Sequence, residues 1–300
     1  MKFAAIDIGS NAVRLFIAHV YETGQSIPIV RKDDLYRVPL RLGADAFIRG
    51  EITPQTEDQF VTIMQAFRKL IDFFQPTDCI ACATSALRTA RNGREVVMRV
   101  SREANINIEI IEGQREAELI ALNRSDGRFD QDDFLFIDVG GGSTELTLLS
   151  QGRQLDARSF PIGTVRLKEN LVDSVIWDEM KRWIKAQTVS FPNLTAIGSG
   201  GNINKLVRMG GDKRAKKMKR DEISKVLKML KGMTYEQRMR ELGLRPDRAD
   251  VIVPAGEIFV SAMKWAKVKS IVVPQFGLSD GMVHYLYRRH TEAQGGRIID

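Results

Sequence analysis

The sequence predicts an α/β protein made of two related domains in tandem. The chain has 300 residues, which is about twice the length of a typical domain. A motif near the N-terminus recurs in the second half, and glycine-rich turns connect apolar, strand-like runs to helix-like ones. Hydrophobic residues make up 43% and charged residues 28% of the chain, a composition that excludes a disordered chain, a collagen-like repeat and a disulfide scaffold.

The repeated motif consists of an apolar strand, an Asp-x-Gly turn and a second strand. Residues 3–15 align without gaps with residues 134–146, and five of the thirteen positions are identical. The offset of 131 residues is too long for the period of a solenoid. We therefore expect two domains that each open with the same hairpin.

Both turns carry residue types that suit phosphate binding. Glycines allow the backbone to approach a ligand closely and to direct several N–H groups toward one point, and short hydroxyl side chains add donors. Asp7 and Asp138 stand at the strand ends, where each could hold a metal ion or a water molecule beside the phosphates. The alternative is a pair of ordinary hairpins in which the Asp caps the turn, but two matched copies favour a phosphate clamp between the domains. Its candidate residues are Gly9, Ser10, Gly140, Gly141, Gly142, Ser143 and Thr144.

A third glycine cluster leads from a strand into a helix. Gly200 and Gly201 follow an apolar run and precede a helix predicted over residues 203–208. A strand, a glycine-rich turn and a helix N-terminus together form a ready anion site.

A fourth strand-to-helix turn carries a candidate cation. Thr84 or Ser85 is placed as the N-cap of the predicted helix, and Arg88 would then lie in its first turn. A cation there is poorly matched to the helix dipole unless an anion is also present. Arg88 is therefore either a phosphate ligand or an outward, solvated side chain.

The candidate general base is a glutamate after the strand predicted at residues 106–111. Glu112, Glu116 and Glu118 all lie at the start of the helix that follows. Their spacing does not rank them, and a solvated acidic helix start is the ordinary alternative.

The positive charge of the chain is local. The net charge is +7 and the pI is about 9.4, yet residues 1–124 hold 16 basic and 16 acidic side chains. The segment from Lys205 to Lys228 alone holds ten basic and three acidic residues. It is either a solvated helix and loop or a surface that guides a phosphate chain; a nucleic-acid binder is disfavoured because no nucleic-acid module is recognisable.

Two cysteines, Cys79 and Cys82, form a C-x-x-C in an apolar, strand-like run. At this spacing their side chains point to opposite faces of a strand, so we expect buried core thiols rather than a redox pair. With three histidines in the chain, the usual zinc sites are also excluded. The N-terminus lacks a secretory signal and no apolar run is long enough for a membrane helix, so we expect a soluble, cytoplasmic protein.

Taken together, the motifs resemble those of the exopolyphosphatase/guanosine pentaphosphate phosphatase (Ppx/GppA) family. The Ile-Asp-x-Gly turns alone are shared with acetate kinases, sugar kinases, actin and heat-shock chaperone ATPases, so the specificity lies in the whole set and its order. The matching segments are residues 5–15, 83–88, 113–117, 137–146, 161–167, 198–201, 245–250 and 277–281.

The resemblance implies two ribonuclease-H-like domains of the actin and sugar-kinase type, with the active site in the cleft between them. It implies an exopolyphosphatase that hydrolyses the terminal phosphoanhydride of inorganic polyphosphate by Mg²⁺-assisted attack of water, with guanosine pentaphosphate as the alternative substrate. We expect the first domain over residues 1–124 and the second over residues 125–280. A C-terminal helix at about residues 281–300 is expected to pack back on the first domain.

Residue roles follow from the same resemblance. Glu116 matches the base that activates the attacking water, and Arg88 is the second candidate catalytic residue, expected to neutralise the phosphoryl oxygens together with Mg²⁺. Asp138 and Glu145 match acidic positions associated with Mg²⁺ and that water, and Asp7 is a further candidate metal ligand. With Thr84, Gly200 and Gly201 added from the turns described above, the candidate phosphate-binding residues are Ser10, Asn11, Arg14, Thr84, Arg88, Gly140, Gly141, Gly142, Ser143, Gly200 and Gly201.

The chain departs from the family pattern in two places. Ser279 stands where the family's terminal Gly-Leu-Arg-Glu-Gly motif has Arg, and the helical C-terminal domains of the long members are missing, which makes processive action on long chains less expected. An ATP-dependent kinase or a chaperone-like ATPase of the same fold is the remote alternative. The family also makes a homodimer plausible.

Overall fold

The computed structural model of the chain describes residues 1–22, 28–124, 132–274 and 276–293. It divides into two compact units, Met1–Arg128 with Phe276–Asp300 and Phe129–Gln275. Each unit contains one mixed β-sheet with helices packed on it, so the predicted α/β class is confirmed. The predicted domain boundary adjoins residues 125–131, which lie outside the described residues, as do residues 294–300 of the predicted C-terminal helix.

The two sheets share one topology. The strands, in chain order, are β1 (Lys2–Ile8), β2 (Val13–Tyr21), β3 (Ile29–Val38), β4 (Asp78–Ala83), β5 (Ile108–Ile110), β6 (Asp133–Val139), β7 (Thr144–Ser150), β8 (Arg153–Phe160), β9 (Thr195–Ser199), β10 (Lys217–Lys219) and β11 (Ser270–Val272). Their order is β3-β2-β1-β4-β5 in the first sheet and β10-β11-β9-β6-β7-β8 in the second. In each sheet an antiparallel meander of three strands is followed by two strands parallel to the first. The sequence repeat is therefore a repeat of the fold.

The parallel strands set the position of the candidate site residues. The carboxyl ends of β1, β4 and β5 lie at one edge of the first sheet, and those of β6, β9 and β11 lie at the corresponding edge of the second. Ligands of open α/β sheets bind at this edge. Every turn that the sequence singles out for phosphate binding follows one of these strands.

Helices cover the sheets. They are α1 (Leu42–Ala44), α2 (Pro54–Phe74), α3 (Ser85–Thr89), α4 (Gly93–Ala104), α5 (Gly113–Ala121), α6 (Thr164–Lys168), α7 (Ser174–Thr188), α8 (Gly201–Gly210), α9 (Arg220–Lys231), α10 (Tyr235–Leu242), α11 (Pro246–Ala249), α12 (Ile252–Trp265) and α13 (Leu278–Ala293). A π-helical turn at Asp45–Arg49 and a 3₁₀ turn at Leu122–Arg124 complete the set within the described residues. In α2, Pro54 occupies the first position and the Thr53 hydroxyl accepts a hydrogen bond from the Thr56 amide at 3.4 Å, the arrangement that favours a helix start.

The C-terminal helix α13 belongs to the first unit. It packs on β1 and α5, and its Leu278, Met282 and Leu286 are buried in the same cluster as Phe3 and Cys82. Because β1 is covered in this way, its residues are buried almost throughout, as is typical of strands with both faces packed.

The most apolar run of the chain forms α12 in the core of the second unit. Ile258 and Phe259 of this helix are fully buried in the hydrophobic cluster beneath the second sheet. Within the described ranges, no helix combines the length and the apolar character needed to cross a lipid bilayer.

The lysine-rich segment, Lys205 to Lys228, contains a β-strand in addition to the helix and loop expected of a solvated surface. Lys217–Lys219 forms β10, which pairs antiparallel with β11 at the edge of the second sheet. Met218 is 1% exposed and packs into the core. Its apolar side chain between two exposed lysines explains the strand, because such alternation matches the period of a half-buried edge strand.

Candidate active site

The two predicted hairpin turns are closed by the same hydrogen bond. The Gly9 amide donates to the Ala12 carbonyl at 3.1 Å, and the Gly140 amide donates to the Ser143 carbonyl at 2.9 Å. These two amides are thus used inside the turns, which corrects the expectation that both glycines direct N–H groups to a ligand. In the part of the chain that the structure describes, the amide of Gly141 donates to no backbone carbonyl, and it is the better candidate donor.

The strand that follows each turn carries a charged residue opposite the Asp of the strand before it, and the sign of that charge differs between the two units. Asp7 faces Arg14 across β1 and β2, whereas Asp138 faces Glu145 across β6 and β7. In the first unit Arg14 donates a charge-assisted hydrogen bond to Asp7. In the second unit two carboxylates face each other at the same position, and like charges directly opposite one another repel.

The hydroxyl residues of the first unit meet at the ends of β1 and β4. The Ser10 hydroxyl lies 3.0 Å from the Ser85 hydroxyl. The amide of Thr84 donates to the Ile8 carbonyl at 3.1 Å. Thr84 occupies the N-cap position of α3, but its side chain caps no helix amide. The predicted Asn11 is half-buried in the same hairpin.

Arg88 also lies at the carboxyl ends of the parallel strands in the first unit, but its position within its helix differs from the predicted one. The helix that carries it, α3, has only five residues and Arg88 is in its last turn, so the expected mismatch with the helix dipole does not arise. Its guanidinium donates to the Ile111 carbonyl at 2.5 Å and lies 3.7 Å from the Glu112 carboxylate. These contacts join α3 to the end of β5 and leave the Arg88 side chain 20% exposed.

The structure separates the three candidate glutamates by burial. Glu116 lies in the first turn of α5 and is 8% exposed. The side chains of Glu112 and Glu118 are 79% and 42% exposed. A buried carboxylate at the carboxyl edge of the sheet is the arrangement expected of a general base, whereas the exposed ones face water.

The third glycine cluster adjoins the second hairpin. A β-carbon placed on Gly200 would lie 3.4 Å from the Asp138 carboxylate, and β9 ends at Ser199 directly beside Asp138 in register. Gly201 begins α8, two positions before the predicted start, and no side chain caps this helix. Its first amides, next to Asp138, have no side-chain cap and are of the kind that binds anions at helix N-termini.

Two residues of this neighbourhood have no predicted role. The Ser199 hydroxyl is buried and has no hydrogen-bond partner among the described residues, a cost of roughly 1–3 kcal/mol that a bound group would remove. The Arg248 guanidinium lies against Gly201, since a β-carbon there would approach its Nη2 to 2.5 Å. Arg248 belongs to the matching segment at residues 245–250, which is the only signal in the sequence that marks it.

Helix α6 supports the turn of the second hairpin through backbone hydrogen bonds. The amides of Thr164 and Val165 donate to the carbonyls of Gly140 and Gly141 at 3.0 and 2.8 Å. A β-carbon on Gly163 would lie 2.3 Å from the Gly141 carbonyl oxygen, so the close approach requires glycine.

Metal-binding side chains are sparse at both edges. Among the described residues, no three His, Cys, Asp or Glu side chains form a group that could hold a metal ion. Glu145 is 3% exposed and accepts a hydrogen bond from the Ser159 hydroxyl at 2.8 Å. Mg²⁺ is usually held by one or two carboxylates together with substrate phosphates, and the facing pair Asp138 and Glu145 suits that pattern. Asp7, by contrast, is engaged by Arg14.

A family model, a curated relative and two solved structures are similar to this chain over most of its length. A family model described as the Ppx/GppA phosphatase family matches residues 20–290. Exopolyphosphatase 1 of Mycobacterium tuberculosis is 24% identical over all of this chain and 92% of its own length. Two solved structures share the fold. An exopolyphosphatase from Cytophaga hutchinsonii has a TM-score of 0.81 at 23% identity, with 99% of both chains covered. A Ppx/GppA family member from Aquifex aeolicus has a TM-score of 0.76 at 24% identity, with 97% of this chain and 98% of that chain covered.

Proposed function

The chain belongs to the Ppx/GppA phosphatase family and is a phosphoanhydride hydrolase, and on that basis we propose that it removes the terminal phosphate of inorganic polyphosphate. Curated relatives matched over the whole chain are named exopolyphosphatases. The reaction asks the protein mainly to position the reactants and to neutralise charge, because negative charge spreads over the equatorial oxygens in the transition state. Both edges described above offer amides, hydroxyls and guanidinium groups for that purpose.

The burial of Glu116 is the observation that carries the proposed mechanism. In this mechanism Glu116 takes a proton from the attacking water as the water oxygen bonds to the terminal phosphorus. The shortened polyphosphate chain leaves through its bridging oxygen. A carboxylate held in a buried position is suited to this task, because a general base must be fixed within hydrogen-bond reach of the proton that it takes.

The remaining residues bind and orient the phosphates in this proposal. In the first unit Ser10, Asn11, Arg14, Thr84 and Arg88 supply donors, and Asp7 positions Arg14 and is not assigned to a metal. In the second unit the donors are Gly141, Gly142, Ser143, Gly201 and Arg248, with Gly140 and Gly200 shaping the turns.

We assign a divalent cation, Mg²⁺, to Asp138 and Glu145. The two carboxylates face each other across β6 and β7, and one or two carboxylates are the usual protein contribution to a Mg²⁺ site that also takes substrate phosphates. The buried Ser199 hydroxyl beside Asp138 offers a further oxygen. When bound, Mg²⁺ would neutralise charge on the phosphoryl oxygens.

Replacement of Glu116 tests the mechanism. We expect Glu116→Gln to lower kcat for phosphate release from polyphosphate by about 10²- to 10⁴-fold, the usual contribution of a positioned base. Binding of polyphosphate, measured by calorimetry, should survive because the phosphate donors are unchanged. Glu118→Gln, on the same helix but exposed, is the matched control and should keep wild-type activity. Full activity of Glu116→Gln would remove Glu116 from the mechanism.

The substrate is tested separately. Phosphate release is measured side by side on polyphosphate and guanosine pentaphosphate, with the same enzyme and Mg²⁺ concentration. Faster release from polyphosphate supports the proposal, whereas activity restricted to guanosine pentaphosphate would establish the alternative. Transfer of phosphate from ATP to an acceptor, without hydrolysis of either substrate, would instead identify a kinase of the same fold.

A further inference from the structure

A second cationic site lies in the second unit, apart from the turns assigned to the reaction. It is a cavity of about 300 Å³. Three of its six lining residues are cations and none is acidic. The cavity is lined by Asn204, Val207, Arg208, Lys213, Lys216 and Val273.

The lysines of this cavity are presented by a tightly bonded loop. Asp212 and Lys217 exchange backbone hydrogen bonds of 2.8 and 3.1 Å across its ends. The Asp212 carboxylate accepts the amides of Arg214 and Ala215 at 2.8 and 2.9 Å. The carboxylate of Asp212 therefore holds the loop in shape through backbone hydrogen bonds, and it is not among the residues that line the cavity.

Lys216 is held in an unfavourable conformation at the cavity. Its φ angle is 48°, in the left-handed region that costs a residue with a β-carbon about 1 kcal/mol or more. The amide of Val273, just after β11, donates to the Lys216 carbonyl at 2.8 Å and fixes this conformation. Local strain of this kind is retained where the surrounding structure enforces it, often at binding sites.

Among the described residues, the three cations of the cavity share its lining with no carboxylate. Within the described ranges, no carboxylate forms an ion pair with Arg208, Lys213 or Lys216. Like charges gathered in one cavity raise its potential and favour an anionic occupant. The lining contains no aromatic ring, so the cavity suits a phosphate chain better than a nucleobase.

The cavity continues the phosphate site along α8. The Asn204 side chain, which lines the cavity, donates to the Gly200 carbonyl at 2.9 Å. Arg208 lies seven residues after Gly201, which places it about 10 Å farther along the helix axis. A single phosphate at Gly201 cannot reach Arg208, whereas a longer chain can.

We propose that this cavity is a distal subsite that binds the phosphate chain several units from the end that is hydrolysed. The inference rests on the proposed function, because it takes inorganic polyphosphate as the substrate. Lys213 and Lys216 of the lysine-rich segment belong to the subsite together with Arg208, whereas Lys217 and Lys219 belong to the edge strand β10. The subsite discriminates by chain length, since tripolyphosphate is too short to occupy it fully.

A charge-neutralising triple variant tests the subsite. The variant combines Arg208→Gln, Lys213→Gln and Lys216→Gln. Glutamine is tolerated at the left-handed position, because Gln75 and Gln151 adopt φ angles of 48° and 47° in this chain. The control combines Lys181→Gln, Arg182→Gln and Lys185→Gln, three cations that line another groove of the same unit. It removes the same charge elsewhere.

The kinetic readout is the KM for long-chain polyphosphate divided by the KM for tripolyphosphate. We expect this ratio to rise about tenfold in the triple variant, which corresponds to about 1.4 kcal/mol in total, and to stay at the wild-type value in the control. An equal ratio in both variants, with wild-type hydrolysis intact, would overturn the subsite but not the proposed function.

A binding readout keeps the two hypotheses separate. In the Glu116→Gln background, calorimetry with long-chain polyphosphate should show weaker binding in the triple variant, with a slope of log K against log salt reduced by about 2, the value for three contacts to a single-stranded polyanion. If the wild-type protein hydrolyses no polyphosphate, the function fails while this readout still decides the subsite. Equal affinity and an equal salt slope in the triple variant and in its Glu116→Gln parent would overturn the inference.

Discussion

The chemical role of a single residue in this protein depends on its surroundings more than on its residue type. The two cysteines illustrate this. Cys82 is fully buried beside α13, and Cys79 lies near Arg68 of α2 on the opposite face of β4. Both are free thiols. Burial raises the pKa of each thiol to about 12, so neither is suited to redox chemistry. Cys82 is a buried core thiol as the spacing predicts, whereas Cys79 is only half-buried.

The thiols should be inert in the folded protein. With a pKa of about 12, roughly one thiol in 10⁴ is ionised at pH 8, and the thiolate is the reactive form. We expect iodoacetamide at pH 8 to modify neither Cys79 nor Cys82, as measured by mass spectrometry, and to modify both in denaturant. The α-carbons lie about 10 Å apart along the strand, too far for a disulfide. Rapid alkylation of the folded protein, or a disulfide formed under mild oxidation, would contradict this.

Close contacts between neighbouring elements hold the turns and helices of the candidate site in position. The hairpin at Gly140–Gly142 keeps its shape because α6 donates two amides to it and Gly163 leaves room for it. The same applies to α5, which carries Glu116. A β-carbon on Gly281 of α13 would lie 1.9 Å from the Leu119 carbonyl oxygen of α5, so the docking of α13 supports the helix of the proposed base.

Replacement of Gly163 tests the supporting role of α6. In Gly163→Ala the new methyl group would overlap the Gly141 carbonyl and displace the turn. A displacement of about 1 Å in a positioning element can cost 10²-fold in rate, so we expect kcat/KM for polyphosphate to fall by about that factor while the protein stays folded. Gly232→Ala is the control, because its nearest neighbour in the same unit is 3.5 Å away. Wild-type kcat/KM in Gly163→Ala would show that the turn needs no such support.

The stability of the whole molecule should depend on the pH through Asp280. This carboxyl group lies at the start of α13 and accepts the Gly277 amide at 2.9 Å. Burial raises its pKa from 3.8 to about 6. Above the folded pKa the native state must carry a buried charge, so the contribution of Asp280 to stability is fully present below pH 3.8 and is lost as the pH rises through about 6.

The variant Asp280→Asn removes this titration. It keeps a side-chain oxygen for the Gly277 amide, and relative to the wild type it should gain about 2 kcal/mol of unfolding free energy between pH 4 and pH 7, as a shift of this size implies. Urea unfolding at several pH values measures the difference. Asp178→Asn, on the surface of α7, should follow the wild-type curve. Parallel curves for Asp280→Asn and the wild type would rule out Asp280 as the source of the pH dependence.

Local patterns sufficed for the repeat, the glycine turns and the α/β class. A hairpin is built from neighbours in sequence, so the match between residues 3–15 and 134–146 predicted a repeat that the two sheets confirm. The family follows from the same motifs, because their set and order are specific. The C-x-x-C is likewise explained by the two-residue period of a strand.

Contacts between distant parts of the chain were decided by the tertiary structure. Burial separates Glu116 from Glu112 and Glu118, because the folded chain covers the first carboxylate and leaves the other two exposed. Arg248 reaches Gly201 from another helix, and the distal subsite assembles from α8, a loop and the end of β11. No local pattern carries these contacts, since they arise only when parallel strands bring their carboxyl ends to one edge.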